Sequence, residues 1–170
     1  AMKRETAPID VPYSVTALSE HGLRKRGAEN IVGVGVNVVG LSVQLPQGEP
    51  FLYLPGQYVD FLLADGRRRS FSIANAPSPA QTLEFHLRVT PHGLFAHYAQ
   101  DTMEPRAILR IEGPLGAFYL REDSTRPVVM MAGGTGFAAL KAMLEQLFRS
   151  GSPRAVHLLW GARSRRDLYL

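Results

Sequence analysis

The sequence predicts a mainly β unit followed by a shorter α/β unit: an antiparallel barrel joined to a parallel β-α-β lobe. Three observations carry that expectation. Residues 13–124 hold short alternating apolar runs separated by turn residues, the spacing of an antiparallel all-β unit. The pattern changes at residues 127–132, PVVMMA, a continuous apolar run of the kind a buried parallel strand carries. Gly133-Gly134-Thr135-Gly136 comes next and leads into residues 137–148, where Leu140, Met143, Leu144 and Leu147 recur at helical spacing. The expected domains are therefore a loose lead-in over 1–12, a barrel over 13–124 and a partial second lobe over 125–170.

Taken in order, residues 1–12 are polar and contain Pro8 and Pro12, so no element is expected there. Residues 13–19 read as a first strand, and 21–30, rich in charge and glycine, as a loop. Residues 31–45 are valine-rich with glycines at 33, 35 and 40, which predicts two strand segments broken near Gly40. Pro55-Gly56 bends the chain into the alternating run Tyr58-Val59-Asp60-Phe61-Leu62, and Asp65-Gly66 signals a hairpin turn into residues 67–76, RRRSFSIANA. Residues 83–90, LEFHLRVT, place Leu83, Phe85, Leu87 and Val89 on one face and Glu84, His86, Arg88 and Thr90 on the other. Pro91-His92-Gly93 breaks that strand, 94–101 carry one or two helical turns, 107–112 form a strand and Gly113-Pro114-Leu115-Gly116 a turn. In the second lobe Gly151 and Pro153 stop the helix, 155–160 read as a second apolar strand, and a right-handed crossover is expected.

Composition narrows the function classes. The chain has 170 residues, 45% hydrophobic and 20% charged, which fits a folded globular protein. Its net charge of +4 is modest and three arginines sit in one run, with no aromatic-interleaved basic stripe and no groove-reading helix, so no nucleic-acid partner is expected. With no cysteine, disulfides and cysteine-held iron–sulfur or zinc sites are excluded within this chain. No apolar run approaches the roughly 20 residues of a membrane span and no signal peptide is visible, so no membrane association and a cytoplasmic location are expected. His21, His97 and His157 lack acidic or histidine partners at ligand spacing, so no metal site is assigned.

Two stretches point to a phosphorylated planar ligand. In RRRSFSIANA, Ser70 and Ser72 share one strand face and Phe71 and Ile73 the other, so an arginine fork, hydroxyls and an aromatic face stand within a few residues. The glycine turn at 133–136 lies between a strand and a helix start, where backbone amides receive phosphate. No glycine follows within residues 137–139, where Ala138 and Ala139 stand, so it is not a full dinucleotide fingerprint, and no Lys-Ser/Thr follows, so it is not a Walker loop. Arg88, with the loop at His92-Gly93-Leu94-Phe95, is a further candidate pyrophosphate holder.

Six motifs in this order, PGQYVDF at 55–61, RRRSFSIAN at 67–75, LEFHLRV at 83–89, EGPLGAFYLRED at 112–123, MAGGTGF at 131–137 and HLLWGARSRRDLYL at 157–170, carry a resemblance. The chain resembles the ferredoxin–NADP reductase superfamily of flavin reductases, most of all its CDP-6-deoxyglucoseen reductase and aromatic-oxygenase reductase branch. The resemblance implies a six-stranded Greek-key flavin-binding barrel and a truncated NAD(P)-binding lobe. It implies an NAD(P)H-dependent flavoprotein reductase that passes hydride to FAD, then electrons to an iron–sulfur or other acceptor. By the resemblance, Arg69 contacts the flavin phosphate, Phe71 packs on the isoalloxazine, and Ser72 hydrogen-bonds near its N5, with Ser70 beside them. His86, Leu87 and Arg88 line the ribityl and pyrophosphate path. His92, Gly93, Leu94, Phe95 and Ala96 form the loop that caps the pyrophosphate. Gly133, Gly134, Thr135 and Gly136 take the dinucleotide, with Thr135 near the nicotinamide and Arg163, Arg165 and Arg166 by the adenosine ribose. Their charge suits a 2′-phosphate, whereas the branch resembles NADH users. Phe71 replaces a frequent Tyr, Ala96 a frequent Ser or Thr, and Ala139 a frequent Pro. The resemblance also implies more of the lobe after Leu170 and a separate iron–sulfur domain, so impaired reduction by NADH is expected of this form. The rival reading is a flavin-free module that assembles, as a homo-oligomer or with a partner chain, through the exposed edge of its lobe.

Overall fold

A computed structural model describes residues 13–18, 37–46, 50–104 and 107–170. The expected lead-in over 1–12 and loop over 21–30 lie outside the described residues. Six strands form one antiparallel sheet: β1 (Tyr13–Leu18), β2 (Val38–Gln44), β3 (Tyr58–Leu62), β4 (Arg68–Ser72), β5 (Thr82–Arg88) and β6 (Ala107–Leu115). Their order is β4-β3-β6-β1-β2-β5. After β5 come a single α-helical turn, α1 (Leu94–His97), and a π-turn over Tyr98–Thr102. The second unit is β7 (Val128–Gly133), a 3-10 turn over Gly134–Gly136, helix α2 (Phe137–Arg149), and β8 (Val156–Gly161), parallel to β7. Among the described residues no helix is long and apolar enough to cross a membrane.

Period-two alternation builds the larger core. Leu41 and Val43 from β2, Val59 and Phe61 from β3, and Leu83, Phe85 and Leu87 from β5 are fully buried, together with Ile73 and Ile111. Each such side chain stabilises by about 1.5–3 kcal/mol relative to exposure. Helix α2 organises a second, smaller core: Phe137, Leu140, Met143 and Leu147 pack with Leu120 and Met130.

Among the described residues no β4–β5 ladder closes the sheet into a full barrel; residues just past β4 bridge the two edges instead. The N–H of Ala74 donates to the Glu84 carbonyl at 2.7 Å. The Asn75 side chain then behaves as a short length of strand, donating to the Thr82 carbonyl at 2.8 Å and accepting from the Glu84 N–H at 2.8 Å.

Three expectations are corrected. Strand β2 runs unbroken through Gly40, because ladders on both sides, Leu18↔Gly40 and Gly40↔His86, hold the backbone that a side chain does not. Strand β6 continues through Gly113 and Pro114 to Leu115, where a turn was expected, held by the Tyr58↔Leu115 pair. The run at 127–132 is not a strand buried on both faces: Val129 is 64% and Met131 73% exposed, because α2 packs on only one face of the two-stranded sheet.

Candidate functional site

The hairpin β3–β4 positions the arginine run. Asp65 accepts from the Arg67 backbone N–H at 3.0 Å and pairs with its guanidinium. The Arg67 hydrogen bonds hold the Asp65 carboxyl below its ordinary value, and the same contact raises the Arg67 guanidinium. Arg68 pairs with Glu112 and lies 3.7 Å from Asp60, and the Ser70 hydroxyl donates to Asp60 at 2.6 Å. Strand period places Asp60, Arg68, Ser70 and Glu112 on one face of β4-β3-β6. Arg69 points the other way, with Phe71. Its guanidinium donates to the Arg68 carbonyl at 2.8 Å and has no ion pair among the described residues. Of three consecutive exposed arginines, Arg67 and Arg68 are in ion pairs, whereas Arg69 makes none among the described residues and only lends its charge to Asp65 at longer range.

Phe71 is half-buried, its ring backed by Phe61 at 5.7 Å and Phe95 at 5.6 Å. Phe95 belongs to α1, so this contact brings the arginine strand and the 92–96 loop together. Helix geometry leaves the N–H groups of Phe95 and Ala96 without intrahelical acceptors, whereas those of Gly93 and Leu94 donate to Thr90 and His92 carbonyls. Leu94 and His92 are exposed and Ala96 is buried; Ser72, half-buried, ends β4 opposite Tyr58. Beside α1 lies a cleft of about 930 Å³ lined by Leu62, Arg67, Arg68, Leu94, Phe95 and Tyr98, among others.

The second part of the site lies at the carboxyl ends of β7 and β8, where Gly133 pairs with Gly161. Open parallel sheets receive ligands at this end. A crevice of about 430 Å³ there is lined by Gly133, Gly134, Gly161, Arg163 and Arg88, the last reaching across from β5. Gly134 has φ +50°, a conformation that favours glycine, and a Cβ there would crowd the Arg88 guanidinium at 3.0 Å. Trp160 pins the turn: its indole N–H donates to the Gly134 carbonyl at 3.0 Å, and its ring stacks on Phe137 at 4.1 Å. Thr135 is half-buried and Gly136 exposed beside it. Arg163 is 3.9 Å from Asp167, which is held by the Ser164 hydroxyl at 2.9 Å.

His86 stands apart from both. The lobe covers the polar face of β5, so His86 is buried; the Tyr169 hydroxyl donates to its Nδ1 at 2.9 Å and its Nε2 donates to Glu84 at 3.0 Å. These proton positions are assigned from the hydrogen-bond pattern. Burial raises the Tyr169 phenol well above its ordinary value, which keeps it a donor. Burial also pushes the Glu84 carboxyl up, but hydrogen bonds from His86 and Lys141 outweigh it and hold Glu84 below its ordinary range. Leu87 is a core residue with no face toward solvent. Sequence reasoning missed Lys141, Glu145, Trp160 and Tyr169. The helical spacing Lys141–Glu145–Arg149 was a legible signal of one charged stripe, but nothing in the sequence names what that stripe meets.

Residues 29–119 match the oxidoreductase FAD-binding domain family and residues 130–170 the oxidoreductase NAD-binding domain family. The chain belongs to the oxidoreductase FAD-binding domain family, with an NAD-binding segment following it. It is 42% identical over 141 residues to a CDP-6-deoxy-L-threo-D-glycero-4-hexulose-3-dehydrase reductase of Yersinia pseudotuberculosis, covering 83% of this chain and 42% of that protein. It is 39% identical over 130 residues to terephthalate 1,2-dioxygenase reductase component 1 of Comamonas, covering 76% and 38%. The crystal structure of the Amycolatopsis cytochrome P450 reductase GcoB superposes with a TM-score of 0.75 at 27% identity, over 97% of this chain and 47% of that one. Phthalate dioxygenase reductase, at 16% identity and a TM-score of 0.73 over 94% and 46%, shares the fold. The chain thus spans less than half the length of the curated relatives named here.

Proposed function

We propose that this chain is the flavin- and nicotinamide-handling part of an NAD(P)H-dependent flavoprotein reductase whose electrons go to an iron–sulfur protein or domain. The observation that carries the reading is Arg69, a guanidinium with no ion pair among the described residues, on the strand face it shares with the half-buried Phe71, whose ring packs on Phe95 of the neighbouring turn. That donor set fits a flavin carrying a phosphate. When bound, FAD supplies the hydride acceptor and the one-electron donor chemistry. Arg69 and the 93–96 turn hold the phosphates, Ser70 stands at the strand edge, Phe71 supports the ring face, and the Ser72 hydroxyl orients the reacting edge. Arg88 and the glycines at 133, 134 and 136 receive the dinucleotide phosphates, Thr135 positions the nicotinamide, and Arg163 meets the adenosine end, with NADH the preferred donor. The same reading divides the chain at 124 and 125 and takes the six strands as a Greek-key flavin barrel, supported by the Ala74–Glu84 bridge. Cytoplasmic placement goes with it. His86 and Leu87, buried as they are, support the barrel rather than touch the ligand.

The rival, a flavin-free assembly module, draws on the bare Val129 and Met131 face. Matches to reductase components that run through both segments weigh against it.

The test is a visible absorption spectrum of purified protein before and after adding FAD and desalting. Wild type retains flavin bands. Arg69→Ala, losing a charge-assisted contact of about 1.5–3 kcal/mol, binds FAD roughly 10- to 150-fold more weakly. A colourless wild type that keeps no FAD refutes the reading.

A further inference from the structure

Lys141 lies on the face of α2 that meets the barrel, and its three donors find three acceptors: Glu145 at 2.7 Å, Glu84 at 2.9 Å and the Ala74 carbonyl at 3.2 Å. Glu145, one turn on, accepts the Ala76 N–H at 2.9 Å with its other oxygen. Arg149, a further turn on, donates to the Pro77 carbonyl at 2.9 Å. This stripe grips residues 74–77, which directly follow the arginine strand and Ser72. From Glu84 the chain of bonds runs on through His86 to Tyr169, whose ring meets Trp160 edge-on at 5.1 Å, and Trp160 holds the Gly134 carbonyl. One end of this chain therefore touches the flavin-side strand and the other the dinucleotide-side turn.

Burial pushes the Lys141 ammonium down, but its bonds to Glu145 and Glu84 outweigh that and raise it above its ordinary value, so all three hydrogens stay in place. Partly buried ion pairs roughly repay their desolvation and add little net stability. Directional bonds to two barrel acceptors, Glu84 and the Ala74 carbonyl, do something else: with Glu145 of the same helix steering the ammonium, they restrict the placement of α2 against residues 74–77.

We propose that Lys141, with Glu84 and Glu145, is a positioning residue that fixes the lobe against the barrel and so sets the approach of the nicotinamide to the flavin. The proposal rests on the reductase reading above. Transfer between two bound groups is steep in geometry, a misplacement of about 1 Å costing on the order of 100-fold, so the rate is where the effect appears.

The experiment compares wild type, Lys141→Met, Lys141→Arg and Glu145→Gln in three measurements: FAD affinity, anaerobic flavin bleaching across NADH concentrations, and residual dipolar couplings of the backbone amides. In Lys141→Met the limiting bleaching rate falls roughly 10- to 100-fold, while FAD affinity and half-saturating NADH stay within about twofold, below what a lost direct contact costs. Its barrel and lobe amides no longer fit one alignment tensor. Lys141→Arg, which still bridges both carboxylates, restores a single tensor and most of the rate; Glu145→Gln falls between. Wild-type bleaching in Lys141→Met overturns the proposal, as do a single wild-type tensor and a parallel loss of FAD affinity. A wild type that binds no FAD sinks the reductase reading and the catalytic role with it. The tensors then still decide whether Lys141 fixes the lobe.

Discussion

Gly56→Ala probes the apolar side of the same seam. Gly56 is buried at φ +108° in the bend before β3. A Cβ there would run into the Met143 Cε of α2 and come within 2.6 Å of the Phe118 carbonyl oxygen. Two costs add: about 1–3 kcal/mol for the backbone conformation and about 1–3 kcal/mol for overpacking. The methionine end can swing aside, but the carbonyl belongs to backbone and cannot, so the second cost is not escaped. A loss of about 4 kcal/mol lowers Tm by roughly 8–16 °C at this chain length. Gly66→Ala is the control, with φ +78° and nothing within 4 Å of its Cβ. It carries only the backbone cost of about 1–2 kcal/mol. Urea and thermal unfolding of both variants measure the difference. Equal losses in Gly56→Ala and Gly66→Ala would refute the close approach of the Phe118 carbonyl to this bend.

Two further outcomes are expected. Trp160→Phe keeps a ring over Phe137 but loses the bond to Gly134, costing about 1 kcal/mol in urea unfolding; no loss would mean that the indole does not hold the turn. The seam also sets a pH window. Glu84 sits below its ordinary 4.5, so its contribution is present above that value and is lost as pH falls through the lower folded one. Burial raises the phenols of Tyr53 and Tyr169 above 10.0, so theirs is present below 10.0 and lost as pH rises beyond it. Unfolding free energies measured across pH would show Glu84→Gln flattening the acid arm and, because the Glu84 charge also raises Tyr169 and Tyr53, easing the alkaline arm as well; an unchanged acid arm counts against the assigned pairing.

The strands were legible where alternation is strict. Phe61, Phe85 and Leu87 follow from period two alone, and α2 was expected over 137–148 against an observed Phe137–Arg149. The faces were less legible, because periodicity says which residues share a side and not what covers it. Glu84 and His86 read as the polar face of a strand, with His86 by resemblance lining a ligand path, yet Lys141 of the lobe, 57 residues after Glu84, closes over them. Val129 and Met131 read as core, yet they are exposed. Arg67, Arg68 and Arg69 are indistinguishable as letters; only the register that seats Asp60 and Glu112 beside β4 separates them.

Asn75 has a consequence for how this sequence can drift. A ladder of backbone amides is indifferent to the letters it carries, so its hydrogen bonds do not depend on which side chain stands at a strand position. At position 75 the bridge is made by a side chain that must give one hydrogen and take another from Thr82 and Glu84. Aspartate cannot give, leucine can do neither, and glutamine is a methylene too long. Of the two bridges between these sheet edges, the Ala74 N–H to the Glu84 carbonyl would survive a change of letter and the Asn75 one would not.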